Sequence, residues 1–259
     1  MKTVWITALK EDQPRVAAVM AMLKRYGLEC KGHFWADAPD KLAWRLAVNA
    51  LQDARADLWL VLVDAAEINK PSVRYGLSLM TAALQSARGS AFPIMSLWNS
   101  AVPAEAALPQ LMLDADLLEE VSAAWPAKIV ARVNTRRPSL KTEYRLDVLG
   151  DERLGQWFEI EPLDSAWPGV VFGVTGDGAE ITFQAVGPKG MLPEKSVLEF
   201  AQEGMQLKWG TQNFTAWAVR NDIEPCFSYY ARVKGLPDAV LFMPYSEGSD
   251  ASADLVRLK

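Results

Sequence analysis

The side chains best placed for chemistry lie in short polar segments that each follow an apolar run. They are Thr7 with Lys10, Glu11 and Asp12, then Trp35 with Asp37, then Asp64, Glu67 and Asn69, and last Asn99 and Ser100. Carboxylates and amides gathered this way suit a nucleotide ligand, and the same residue types also cap helices and solvate loops. No motif marks any of them as catalytic. There is no Gly-rich phosphate loop followed by Lys-Ser/Thr, no CxxC, no HExxH and no GxSxG. His33 is the single histidine, which excludes a multi-histidine metal site, and we read it as structural. Glu159 and Glu161 stand two apart on an expected strand, so they share a face and can form an acid/base pair. Alternating charge is also what a solvated sheet face carries, and that is the reading taken for them. Arg132, Arg136, Arg137, Lys141 and Arg145 form a loose basic run, capable of meeting phosphate and read as a solvated linker. No catalytic residue and no metal ligand is assigned, and the cofactor stays open.

The elements that position these residues begin with apolar strands at 4–9, 28–35, 57–64 and 92–98. The run Leu58-Trp59-Leu60-Val61-Leu62-Val63 has no alternation, which suits a strand buried on both faces. Between the strands, apolar residues recur at helical spacing: Val16, Val19, Met20 and Leu23, then Trp44, Ala47, Val48 and Leu51, then Val73, Leu77, Met80 and Leu84. Residues 104–111 and 114–125 read as helical, and 127–133 as a fifth strand. Strand–helix alternation gives a doubly wound parallel sheet, for which we expect the flavodoxin-like order 2-1-3-4-5. Ligands bind such sheets beyond the carboxyl ends of the strands, where the polar segments fall.

From Arg136 the pattern changes to short β-rich runs, at 144–149, 156–160, 170–174, 180–186, 206–209, 214–219, 227–233 and 239–243. Gly176-Asp177-Gly178 signals a hairpin. A short helix is expected at 196–202 and a small, polar tail at 246–253. The expected domains are 1–134, α/β, and 135–259, a mainly antiparallel β sandwich or barrel.

Composition narrows the partners. The net charge of −5 argues against a nucleic acid or an anionic membrane, and no apolar stretch reaches the length of a membrane span. The first residues lack the form of a signal peptide, and Cys30 and Cys226 read as reduced thiols, so we expect a cytoplasmic protein.

Two families resemble the first half. The strand and turn at 4–12, the run Tyr26-Gly27-Leu28, the strand 58–63 with Asp64, and Ser72-Val73-Arg74-Tyr75-Gly76-Leu77 together resemble a TIR domain. In TIR domains that hydrolyse NAD, a catalytic glutamate opens the following helix, and Gly76 stands at that place here. The resemblance therefore implies the fold and a signalling or interaction role without hydrolysis. Asp64 at the end of the third strand, Pro71 after it, and Phe92-Pro93-Ile94-Met95-Ser96-Leu97 resemble a response-regulator receiver. The acidic pair that would hold Mg²⁺ is displaced, since the first strand ends Thr7-Ala8-Leu9 and Glu11 and Asp12 lie in the turn. The expectation is a non-catalytic regulatory protein that binds a protein partner or itself. Its alternative is a nucleotide-binding or NAD-hydrolysing enzyme with its site at the strand ends.

Overall fold

A computed structural model describes residues 1–103, 108–135, 137–139, 141–246 and 252–259. The chain divides into two compact units, residues 1–39 with 43–140, and residues 141–259 with 40–42.

The first unit holds β1 (Thr3–Ala8), α1 (Gln13–Arg25), β2 (Glu29–Phe34), α2 (Ala43–Asp53), β3 (Leu58–Val63), α3 (Pro71–Arg88), β4 (Ile94–Trp98), β5 (Asp116–Glu119) and α4 (Trp125–Asn134). Its five strands are parallel in the order β2-β1-β3-β4-β5, which is the flavodoxin-like order. Every residue of β3 is buried, as its unbroken apolar run requires. Alternate residues divide between two faces. Val4, Ile6, Leu58, Leu60, Leu62, Met95 and Leu118 pack with Val19 and Leu23 of α1 and Ile129 of α4. The opposite face carries Trp5, Thr7, Trp59, Val61, Ser96 and Trp98 and is covered by α2 and α3. Two indoles on that face have partners: the N–H of Trp59 donates to Thr7 Oγ1 at 2.8 Å, and that of Trp98 donates to Ser96 Oγ at 3.0 Å.

The stripe of α2 is as expected, with Trp44, Ala47, Val48 and Leu51 buried. In α3 burial runs all round from Tyr75 to Leu84, wider than the expected stripe. Thr81 tolerates this because its hydroxyl donates to Leu77 O at 2.7 Å.

The segment after β4 corrects the sequence reading. Residues 104–107 of the expected helix lie outside the described residues, and Gln110–Met112 is one 3₁₀ turn. The expected helix at 114–125 contains β5, and the expected strand at 127–133 is α4. Ile129, Val130 and Val133 have high strand propensity, but they fall on one helical face, and Pro126 suits a first helical turn.

The second unit is an antiparallel sandwich. It contains β6 (Tyr144–Asp151), β7 (Gly155–Pro162), β8 (Val170–Thr175), β9 (Glu180–Pro188), β10 (Gln202–Trp209), β11 (Gln212–Val219), β12 (Phe227–Lys234), β13 (Ala239–Pro244) and β14 (Asp254–Arg257). One sheet runs β10-β11-β8-β13-β14 and the other β6-β7-β12-β9. Aromatic rings join them: Phe158 lies 5.8 Å from Phe172, Phe172 lies 6.0 Å from Tyr229, and Tyr144 meets Phe242 edge-on at 4.7 Å.

All eight expected strands of this half are present. The turn at Gly176-Asp177-Gly178 is not a hairpin, because β8 and β9 belong to different sheets. The left-handed φ of Gly178, 67°, turns the chain as expected. What the turn joins is set by packing, with Asp238 N–H donating to Thr175 O at 2.7 Å. No helix forms at 196–202, where the chain is irregular and then enters β10. Of the expected tail, 247–251 lie outside the described residues, and β14 follows directly after it. Among the described residues, no helix is long and apolar enough to cross a membrane.

Candidate functional site

The carboxyl ends of β1, β3, β4 and β5 meet where open parallel sheets bind ligands. Their loops bring some of the expected residues together. Asp12 caps α1 by accepting from Arg15 N–H at 3.0 Å. Asp64 follows β3, and its Oδ1 accepts from Ala66 N–H at 3.0 Å and Glu67 N–H at 3.3 Å. Its Oδ2 lies 3.7 Å from Lys10 Nζ, so the loops after β1 and β3 are tied by charge.

The other expected residues are spread around this centre. Thr7 is buried and serves Trp59. Glu67 pairs with Lys70 at 2.7 Å, and the amide of Asn69 donates to Ala65 O at 2.8 Å. Asp37 lies apart and accepts from Ser72 Oγ at 2.9 Å, while Asn99 is exposed just past β4.

Sequence reasoning missed the residue at the centre. The side chain of Arg15 is 12 % exposed. Its Nε donates to Glu120 Oε1 at 2.7 Å, its Nη1 to Val63 O at 3.1 Å and its Nη2 to Leu97 O at 3.1 Å. One guanidinium thus joins the last carbonyl of β3, a carbonyl of β4, and the carboxylate that follows β5. Helical side chains lean toward the helix N-terminus, so a long side chain in the first turn of α1 reaches back over the strand ends. The signal in the sequence was a cation placed against the helix dipole, an exception to the usual preference for acids there.

This arrangement does not fit the Mg²⁺ that a receiver would need. Lys10 and Arg15 already neutralise Asp64 and Glu120, and a divalent cation would have to displace them. Gly76, the position the TIR resemblance singled out, has no room for a side chain. A Cβ built there would lie 2.5 Å from Cζ2 of Trp35, so the indole fills that space. No three His, Cys, Asp or Glu side chains among the described residues come together as a metal site.

A second polar centre lies on the outer face of the four-stranded sheet. Glu159 and Glu161 are buried, which corrects their reading as a solvated face. Arg145 lies across from Glu161 in the β6–β7 register and reaches three acids. It donates to Glu161 Oε2 at 2.5 Å, Glu159 Oε1 at 2.6 Å and Asp147 Oδ2 at 3.1 Å. Glu159 Oε1 also accepts from Ser228 Oγ at 2.7 Å and Gly190 N–H at 2.8 Å.

Residues 189–193 strap this face. Lys189 pairs with Glu161 at 3.0 Å, Leu192 packs with Trp157 and Tyr230, and Pro193 covers Gly187. Burial would raise the Glu161 carboxyl, but hydrogen bonds from Arg145 and Lys189 outweigh it and hold the group below its ordinary value. Both carboxylates are thus committed to one guanidinium and do not form an acid/base pair.

The basic run is dispersed as well. Arg132 and Arg137 pair with Asp116, Lys141 lies 3.7 Å from Asp164, and Arg136 lies outside the described residues.

No family model matches the chain, and no curated protein matches it. Among solved structures, it is similar to HP1043, an orphan response regulator of H. pylori, at 13 % identity and a TM-score of 0.32. That match covers 51 % of this chain and 97 % of the other. The fold assignment rests on strand order and register.

Proposed function

We propose that this chain is a non-catalytic regulatory protein whose α/β unit acts by self-association. The observation that carries the reading is Arg15, which spends its donors on the strand ends and on Glu120. A crevice cross-linked in this way has its polar groups matched within the fold, and a substrate would have to break those bonds before binding. The candidate residues Asp12, Asp64, Glu67 and Asn69 are engaged in caps, turns and a local ion pair, which fits a scaffold role. The surface that fits a second copy is the β5 edge. Leu117 on the edge strand is 41 % exposed, and Leu113 and Val121, which flank the strand, are 59 % and 77 % exposed. An edge strand with apolar flanks is a template for pairing, and two such edges can meet about a two-fold axis.

Sedimentation across a concentration series tests this. A dimer that Leu117→Lys returns to monomer is expected, and a monomer throughout would overturn the assigned surface. Incubation with NAD and a thermal-shift series with ATP, ADP and NAD test the crevice separately. We expect no nicotinamide release above a protein-free control and no stabilisation. A ligand at a hundredfold over its Kd stabilises by about 2.7 kcal/mol, which melting reads easily. Turnover or stabilisation lost in Asp64→Asn or Glu67→Gln would establish the nucleotide-binding or NAD-hydrolysing alternative.

A further inference from the structure

The helix-covered face that carries Trp5 is open toward the edge strand β2. A cavity of about 380 Å³ lies there, lined by the rings of Trp5, His33, Trp35 and Trp44, the side chain of Leu46 and a set of small residues. Its lining includes no Asp, Glu, Lys or Arg. Five buried side-chain polar atoms lack a hydrogen-bond partner among the described residues, and three belong to these rings: His33 Nε2, Trp35 Nε1 and Trp44 Nε1.

The chemistry of the three atoms is the same. The indole nitrogens carry hydrogen and only donate. His33 Nδ1 accepts from Trp5 Nε1 at 3.1 Å, so the neutral imidazole carries its proton on Nε2. Burial pushes the His33 pKa down to about 4, which keeps the ring neutral at physiological pH. The cavity therefore offers aromatic faces, and the rings that line it carry three N–H donors without a partner and with no matching acceptor on the same rings. Unmatched buried donors are uncommon in folded proteins and mark places where a partner is needed.

We propose that this cavity binds a neutral, planar heteroaromatic ring that presents hydrogen-bond acceptors at its edge. The indoles supply stacking surfaces for a flat ring. Small residues such as Ala36, Ala43 and Ala50 leave its volume open, and that volume lies within the range of small-molecule sites. A charged ligand would lose its hydration with no counter-charge to meet. The three nitrogens are covered by neighbouring atoms, so an arriving ring reaches one only where the atoms that cover it give way. The proposal does not depend on the reading of the strand-end crevice.

Quinoxaline and naphthalene have nearly the same shape, and only quinoxaline has acceptor nitrogens. Naphthalene is the more apolar, so a cavity that recognises only apolar surface prefers it. The full chain, labelled with ¹⁵N at its indoles, is titrated with each probe and with quinoxaline-2-carboxylate. We expect quinoxaline to bind about tenfold more tightly than either, the scale of one hydrogen bond, and to move the indole N–H signals of Trp35 or Trp44 downfield. Ala50 is exposed and lines the cavity, so Ala50→Phe should fill the space without loss of fold and weaken quinoxaline about tenfold. Naphthalene binding as tightly as quinoxaline, unmoved indole signals, or no saturable binding of quinoxaline to the wild type would each overturn the proposal. The comparison of probes on the wild type stands whether or not Ala50→Phe folds.

Discussion

Arg15 and Arg145 are buried to nearly the same degree, with side chains 12 % and 11 % exposed, and each gathers groups from distant parts of the sequence. Arg15 meets one carboxylate and two backbone carbonyls, so its centre is neutral. Arg145 meets three carboxylates, of which Lys189 neutralises one further charge, so the ionised centre carries more negative than positive groups. The first lies where topology places ligand sites, and the second on a sheet face that a strap has covered. Equal burial therefore has different consequences. At the strand ends the cation completes backbone groups that would otherwise need water. On the sheet face it is the condition for burying acids at all.

Removing each cation separates the two cases. Arg145→Met leaves Glu159 and Glu161 buried beside one another, and the loss should be about 3–5 kcal/mol in urea unfolding. A loss below about 1 kcal/mol would mean that the strap opens at little cost and hydrates the acids.

Acid sharpens the comparison next. The His33 value is lowered from 6.5 to about 4, so the unfolded chain binds a proton that the folded α/β unit refuses between those values. Stability must therefore fall as pH drops from 6.5 to about 4, by about 3 kcal/mol. Glu161 acts lower. Its folded value is below 4.5, so its contribution is present above that pH and is lost as pH falls through the depressed folded value. The α/β unit should thus weaken first on acidification, and His33→Gln should flatten its slope, as read by Trp fluorescence across pH. Coincident acid transitions, unchanged by that substitution, would contradict the assignment.

Arg15→Met should cost about 2–3 kcal/mol, less than Arg145→Met, because Glu120 is partly exposed and water can replace the cation. Gly76→Ala is the smallest effect, about 1–3 kcal/mol, since its new methyl group meets the Trp35 ring 2.5 Å away. A neutral result there would show that the indole has room to move. We also propose a domain boundary after residue 134, so limited proteolysis near Pro138 should release two folded pieces on which the two arginine centres can be compared.

How much of this was legible follows from the range of the forces. The stripe Trp44, Ala47, Val48 and Leu51 reports a helix because burial there is one-sided and local. The run at β3 reports its own burial. The segment 114–133 was misread because Leu117-Leu118 and Ile129-Val130 carry the same short apolar signal, and only sheet order decides which becomes strand. Glu159 and Glu161 looked solvated because their burial comes from residues 189–193, far along the chain, and from Arg145 across a strand pairing. Arg15 was visible as an exception to the helix dipole, but its targets on β3, β4 and beyond β5 required the topology.

The pairing of β7 with β12 bears on how the chain acquires its shape. Glu159 and Ser228 are bonded across 69 residues, whereas β1 and β2 of the first unit pair across 26. Closing a longer loop costs more chain entropy before any contact forms, and nonlocal strand pairing is slow. During synthesis β7 can pair with β6 on one side, but its other edge must wait until β12 has been made, while the α/β unit can already assemble. The sandwich half is the slower to form, and the interval before β12 arrives is when this chain is most open to aggregation and most in need of a chaperone.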